Sequence, residues 1–264
     1  MVRELPTAGR VSRSLSDAEV ERYSRQLLLP GFSESAQLRL RESRAVIVGC
    51  GGLGGPAALH LAGAGVGRIG LVDPDLVALD NLHRQVAYRT DEVGKPKVRA
   101  LAAALTALNP AVMVDSHQRA LEEATFDEVL RDASVIVECS DSPRMKFAVN
   151  DWAVARGIPL VVGGAIGWRG QVTTVRPPGA CFRCAFGGPS EEMERSCRSS
   201  GVIGPLVGVI GALQAQEVVR LVVGAGGTSS RLFDFDAESG RWHTLTLVVA
   251  PECSAHRLGG ATRP

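Results

Sequence analysis

Apolar positions along this chain follow two periods that take turns. Short continuous runs have the length and β-branched content of strands buried on both faces: RAVIVG (44–49), RIGLVDPD (68–75, ending in acids), AVMVDSHQ (111–118), SVIVECSD (134–141) and IPLVVGGA (158–165). Between them lie stretches with helical spacing: the segment after the glycine turn to about Gly63, KPKVRALAAALTALNP (95–110), FDEVLRDA (126–133) and MKFAVNDWAVARG (145–157). Strict β–α alternation over 44–165 predicts a parallel, doubly wound sheet with right-handed crossovers. Beyond 165 the period changes. GQVTTVRP, RLFDFDAES and RWHTLTLVVAP read as alternating antiparallel strands that flank a long apolar helix within 201–224. The expected fold is therefore α/β, a mostly parallel Rossmann-like sheet continued by antiparallel strands.

The ends are plainer. Residues 1–16 carry no periodic pattern and read as a mobile tail. Ser16 with Glu19 three residues on is a capping signal for a helix within 14–29, stopped at Pro30–Gly31, and a further helix is expected over 33–42. No apolar signal segment opens the chain, and the 201–224 run is broken by Gln214, Gln216, Glu217 and Arg220, so it reads as a buried helix. With 29 basic and 28 acidic residues the net charge is +1, which gives no bulk attraction to nucleic acid or membrane. The chain reads as cytoplasmic, where its six cysteines would be metal ligands or reactive thiols before disulfides.

GCGGLGG (49–55) sits between a strand and a helix. Gly49, Gly51 and Gly54 fit G-x-G-x-x-G in that context, so backbone N–H groups and a helix N-terminus can face a phosphate. Asp73 ends the next strand, where a carboxylate can accept from ribose hydroxyls. The fingerprint alone would suit an NAD-dependent oxidoreductase. Arg84, Lys97 and Asp141 argue for a nucleoside triphosphate instead, because all three fall near the carboxyl ends of the strands. Each close cation–phosphate pair gains about 4 kcal/mol before desolvation. Asp141 cannot help a phosphate directly but can hold Mg²⁺, which can.

GCGGLGG, LVDPD, DNLHRQ, GKPKV, the Asp141 strand end, CFRC and SCRSSGVIGPLVGVIGALQAQE occur in that order, and over about 17–256 the chain resembles the ThiF/MoeB/HesA family. These are bacterial relatives of ubiquitin-activating enzymes that adenylate ubiquitin-like sulfur carriers. The resemblance implies a single adenylating domain over 17–264, with a nucleotide-binding half at about 44–165 and a carrier and zinc half at about 166–256. It implies ATP on Gly52 and Asp73, with Asp80, Asn81, Arg84, Lys97 and Ser142 around it and Asp141 on Mg²⁺. It implies a homodimer in which Arg25 reaches the neighbouring subunit's site. The partner would be a carrier of the MoaD/ThiS type ending in Gly-Gly, in molybdopterin, thiamine or related sulfur transfer. A cysteine desulfurase or separate rhodanese would supply the sulfur. A non-catalytic nucleotide-binding member is the remaining alternative.

Cys197 matches a family cysteine that receives the activated carrier or carries sulfur in some members. Placed just before the long helix, near Arg195, Arg198 and a helix N-terminus, its thiolate would be nucleophilic. Relatives close a zinc site with two C-x-x-C pairs. Here Cys181 and Cys184 form one pair, and the second reads Cys253 and His256, an accepted Cys₃His structural zinc set. Zinc loss is expected to loosen the C-terminal strand rather than alter the chemistry directly. Cys50 and Cys139 read as small core residues.

Overall fold

Among the residues that the computed structural model describes, 14–225, 227 and 229–258, eight strands join in one sheet. They are β1 (Arg44–Val48), β2 (Arg68–Val72), β3 (Met113–His117), β4 (Val135–Glu138), β5 (Leu160–Ile166), β6 (Arg169–Val175), β7 (Arg231–Asp236) and β8 (Arg241–Thr246). Their order is β3-β2-β1-β4-β5-β6-β7-β8. Pairs from β3 to β5 are parallel, and those from β5 to β8 antiparallel, as the change of period predicted. Chain order reverses between β1 and β4. That switch point leaves a crevice past the carboxyl ends of these two strands.

Helices α1 (Asp17–Arg22), α2 (Ser24–Leu27), α3 (Glu34–Glu42), α4 (Gly54–Ala64), α5 (Lys97–Leu108), α6 (Phe126–Val129), α7 (Pro143–Arg156), α8 (Phe182–Phe186), α9 (Glu191–Ser199), α10 (Gly204–Val223) and α11 (Ser254–Leu258) cover the sheet. Alternate residues of each central strand enter opposite cores. Ala45 and Ile47 join Leu40, Leu61, Leu101 and Ile210, beneath α3, α4, α5 and α10. Val46 and Val48 join Phe126, Phe147 and Phe182, beneath α6, α7 and α8. This is why the strands read as unbroken apolar runs. Burying each large aliphatic side chain contributes about 1.5–3 kcal/mol.

Helix α10 has 20 residues and is apolar enough to cross a bilayer by length and composition. Here it packs on α3, α4, β5 and β6. Two buried polar side chains fix its rotation. Gln214 Nε2 donates to the Glu138 carbonyl at 3.0 Å, and the Glu217 carboxylate accepts from Thr174, Arg220 and Arg231, each at 2.9 Å.

Several elements differ from expectation. The capping box at Ser16 and Glu19 is present, but the helix expected within 14–29 breaks at Tyr23. The break buries the Tyr23 ring, whose hydroxyl accepts from Asn109 Nδ2 at 2.9 Å. FDEVLRDA is helical only over Phe126–Val129, because the chain must turn to deliver Ser134 N to the Arg44 carbonyl at 2.8 Å and enter β4. Helix α9 was not foreseen; its nine residues are mostly polar and lack an apolar stripe. Strand β8 alternates in sequence yet is exposed along both faces, since among the described residues no element covers that end of the sheet. Of the tail expected over 1–16, residues 1–13 lie outside the described residues.

Candidate active site

The turn after β1 is built from close backbone approaches. Gly49 has φ +89°, and a Cβ there would come within 2.9 Å of Ser140 N. A Cβ on Gly54 would lie 1.9 Å from the Gly49 carbonyl oxygen, so only glycine lets α4 start this close to its strand. A Cβ on Gly52 would lie 2.9 Å from a Val207 methyl and 3.3 Å from the Arg84 carbonyl oxygen. Tyr88 Oη donates to the Cys50 carbonyl at 2.6 Å and holds the turn from below. Burial, with the Asp73 charge adding to it, pushes the Cys50 thiol well up; burial likewise pushes the Cys139 thiol up to about 12. Neither is a thiolate, and both pack as core residues.

Asp73, just past β2, is 5% exposed. Its Oδ2 accepts from Cys50 N at 2.7 Å and its Oδ1 from Asp75 N at 2.8 Å. The carboxylate thus braces the glycine turn while keeping lone pairs for a ligand's hydroxyls. Lys97, at the start of α5, is buried and paired through Nζ to Asp75 Oδ2 at 2.9 Å. The sequence reading had not singled out Asp75. In the 79–85 turn, Asn81 Oδ1 accepts from Arg84 at 2.9 Å and from Gln85 Nε2 at 2.8 Å, which aims the guanidinium. Gln85 Oε1 is buried and has no partner among the described residues, an acceptor left over for a ligand.

One cavity of about 900 Å³ collects these groups. Gly49, Gly51, Gly52, Asp73, Asn81 and Arg84 line it, and so do Lys97, Asp141 and Ser142. Asp141 is exposed, and Ser142 caps α7 by accepting from Met145 N at 3.3 Å. Two residues expected around the nucleotide, Gly54 and Asp80, do not line it, and Arg25, expected at a neighbouring subunit's site, does not line it either. Gly54 serves helix–strand packing instead. Asp80 accepts from Asn81 Nδ2 at 2.7 Å and through its carbonyl from Arg84, so it orients its neighbours. Arg25 lies exposed on α2, away from the cavity of its own chain.

The reading of Cys197 changes in one respect. Its backbone lies in the last turn of α9, not at a helix N-terminus, so the nearby helix end does not favour a thiolate. Its side chain lies outside the described residues.

Sequence reasoning missed Lys146 and Glu138. Glu138 ends β4 fully buried, and Lys146 Nζ donates to its Oε2 at 2.5 Å and to the Gly163 carbonyl at 2.7 Å. Were β4 to run on, Ser140 N would take that carbonyl as the next rung beyond the Glu138–Val162 pair. Instead Ser140 N turns to Glu138 Oε1 at 3.2 Å, and the Ser140 hydroxyl donates to the same oxygen. Burial raises the Glu138 carboxyl above its ordinary value, against the opposing Lys146 charge. Lys146 closes a ladder that stops early and lines the cavity where β4 gives out. An isolated lysine on an amphipathic helix carries no signal of this in sequence.

On the opposite core, Cys181, Cys184, Cys253 and His256 place their ligand atoms within 4.8 Å of one another. The Cys181 sulfur lies 3.7 Å from that of Cys184 and 3.6 Å from that of Cys253. His256 Nε2 is buried and has no partner among the described residues. Three sulfurs and an orphaned imidazole nitrogen converging on one point fit a tetrahedral metal ion. Burial pushes the Cys181 thiol up to about 12 without a metal. A bound cation would reverse that.

The ThiF family model matches residues 23–255. The sulfur carrier protein ThiS adenylyltransferase of Escherichia coli is 39% identical over 241 residues, which cover 90% of this chain and 96% of that protein. The adenylyltransferase and sulfurtransferase MOCS3 of Arabidopsis thaliana is 41% identical over 244 residues; the match covers 91% of this chain but 53% of the relative, so the chain spans about half the length of such relatives. The fold recurs in a crystal structure of E. coli MccB with MccA-N7isoASN, at a TM-score of 0.80 and 24% identity, covering 89% of this chain and 74% of that one. Fold, glycine turn and relatives agree: the chain belongs to the ThiF family.

Proposed function

We propose that the chain adenylates the C-terminal glycine of a ubiquitin-like sulfur carrier of the MoaD/ThiS type, using ATP and releasing pyrophosphate. The observation that carries this reading is the gathering of Asp73, Arg84, Lys97 and Asp141 with the glycine turn around one cavity at the switch point. An acyl substrate's carboxylate is a poor electrophile and is already ionised, so no general base is required. Its oxygen attacks the α-phosphorus, the bond to the bridging oxygen breaks, and pyrophosphate leaves with the electron pair. Two anions must approach, and charge grows on the leaving group. Arg84 and Lys97, held in place by Asn81 and Asp75, offset that charge without reorganising. Mg²⁺ on Asp141 would neutralise phosphate oxygens and hold the leaving group.

The same reading includes a homodimer in which Arg25, exposed on α2, completes the partner's site, and structural zinc on Cys181, Cys184, Cys253 and His256. It places the chain in the cytoplasm, supplied with sulfur by a separate desulfurase or rhodanese. Free cysteines and a near-zero net charge agree with that setting and with no role in nucleic-acid binding. Pyrophosphate–ATP exchange tests the reading, with and without a Gly-Gly-ending carrier. Exchange that needs the carrier supports it. Nicotinamide binding without exchange would mark an oxidoreductase, and nucleotide binding with neither would mark a non-catalytic member.

A further inference from the structure

A second cavity of about 460 Å³ lies beside the first, walled by Phe147, Phe182, Phe186 and Met193. The two share Lys146, Gly164, Ile166 and Gln171, so they meet where β4 stops. The wall has an unusual support. Phe182 and Phe186 belong to α8, a helix of five residues that also carries Cys184 and is capped by Cys181. A helix this short does not hold itself together. On one side it is tied to α7: the fully buried Asn150 accepts from Phe182 N at 2.8 Å, and its Nδ2 donates to Asp151 Oδ1 at 3.0 Å. Asp151 clamps Arg183 at 2.5 and 3.1 Å, and the guanidinium lies 5.1 Å from the Phe147 ring centroid. Phe147, Phe182 and Phe186 then pack in series as tilted rings, with centroids 4.9 and 4.6 Å apart. On the other side, among the described residues, the Cys₃His cluster and the packing around it join it to the chain's C-terminal segment.

We propose that the Cys₃His site is the buttress of the acyl substrate's approach: its occupancy fixes the aromatic wall of the second cavity, and Asn150 is the positioning residue that joins the two. This rests on the adenylation reading and adds what the metal does for it. Occupancy then sets the affinity for the carrier and leaves that for the nucleotide, whose cavity has no wall from α8.

Asn150→Asp tests the positioning role. It is isosteric and keeps the acceptor for Phe182 N, but puts a negative charge in place of the amide that donates to Asp151; Asn150→Ala removes acceptor and donor together. In the full chain, competition against a chromophoric chelator should show zinc bound roughly 10- to 100-fold more weakly in either variant, the range for outer partners of metal ligands. Wild-type protein stripped of zinc should bind a non-hydrolysable ATP analogue with little change by calorimetry. Its KM for a Gly-Gly-ending carrier in pyrophosphate exchange should rise on the order of 10-fold, and zinc should restore it. Unchanged zinc affinity in both variants, an unchanged carrier KM after stripping, or a parallel loss of nucleotide affinity would each overturn the inference. Zinc-loaded wild-type protein that supports no carrier-dependent exchange would overturn the adenylation reading and this one with it.

Discussion

The two halves of the sheet hold their ligating groups in different ways. Around the glycine turn the working parts are backbone and strand ends: Gly49, Gly52 and Gly54 are there because a Cβ does not fit. Asp73 and Asp141 are there because β2 and β4 end beside them. Around the Cys₃His cluster nothing comes from a strand end. Cys184 and His256 lie on two short helices and Cys181 and Cys253 just before them, 72 residues apart, with Asn150 of α7 holding the first helix. The first arrangement is local and rigid. The second depends on tertiary contacts and on the metal itself, and is the one expected to respond to its surroundings.

That contrast can be broken or sharpened by experiment. If the turn is fixed by backbone contact, Gly54→Ala should destabilise by more than about 4 kcal/mol, because neither backbone partner can yield. Denaturant midpoints measure this, and a midpoint near wild type would show the turn to be pliable. At the seam between the halves, Lys146→Met leaves Glu138 buried and uncompensated and should cost about 3–5 kcal/mol. The double variant Lys146→Met with Glu138→Leu should recover most of that loss; failure to recover would mean that the Gly163 carbonyl, not the charge, is the expensive partner. Asp141 is exposed, so Asp141→Ala should leave the melting temperature alone and lower exchange by roughly 10²–10³-fold, the scale of losing one preorganised electrostatic group. Full activity would remove Mg²⁺ from that residue.

Smaller effects follow. Burial, and after it the Arg119 charge, hold the His117 imidazole below its ordinary 6.5. The fold prefers it neutral, while the unfolded chain takes up the proton first. The resulting stability is complete above the ordinary value and is lost as pH falls below it toward the folded one. His117→Gln should flatten the thermal midpoint between about pH 7 and pH 5; an unchanged slope would assign the acid sensitivity elsewhere. Smallest of all, Cys197→Ala should leave exchange within about twofold, since no step of adenylation uses a thiol. Vanished exchange would mean that the thiol acts earlier than sulfur transfer.

What the residues announce in sequence follows the same division. The glycine turn, Asp73 and Arg84 are legible because their chemistry sits at fixed offsets from strands that show as apolar runs. The Cys-x-x-Cys and Cys-x-x-His pairs are legible because ligand spacing within a turn is local. Lys146 and Glu138 are not. Their pairing joins a helix to a strand end, and its purpose is visible only once the missing Ser140–Gly163 rung is seen. Asn150 is silent for the same reason: one amide on a helix looks like any other until its partners are known. Helix α9 was silent because its residues are mostly polar, and strand β8 was legible as a strand while its exposure on both faces was not, since alternation does not say what covers a sheet's end.

The early end of β4 has an architectural meaning. A sheet that zips fully is a partition, and the compartments on its two sides stay separate. Here the zip is left undone by one tooth, and a cation fills the gap without sealing it. Lengthening the strand by a single rung would take the Gly163 carbonyl back into the ladder, release Lys146 from it, and remake the lining that the two cavities share.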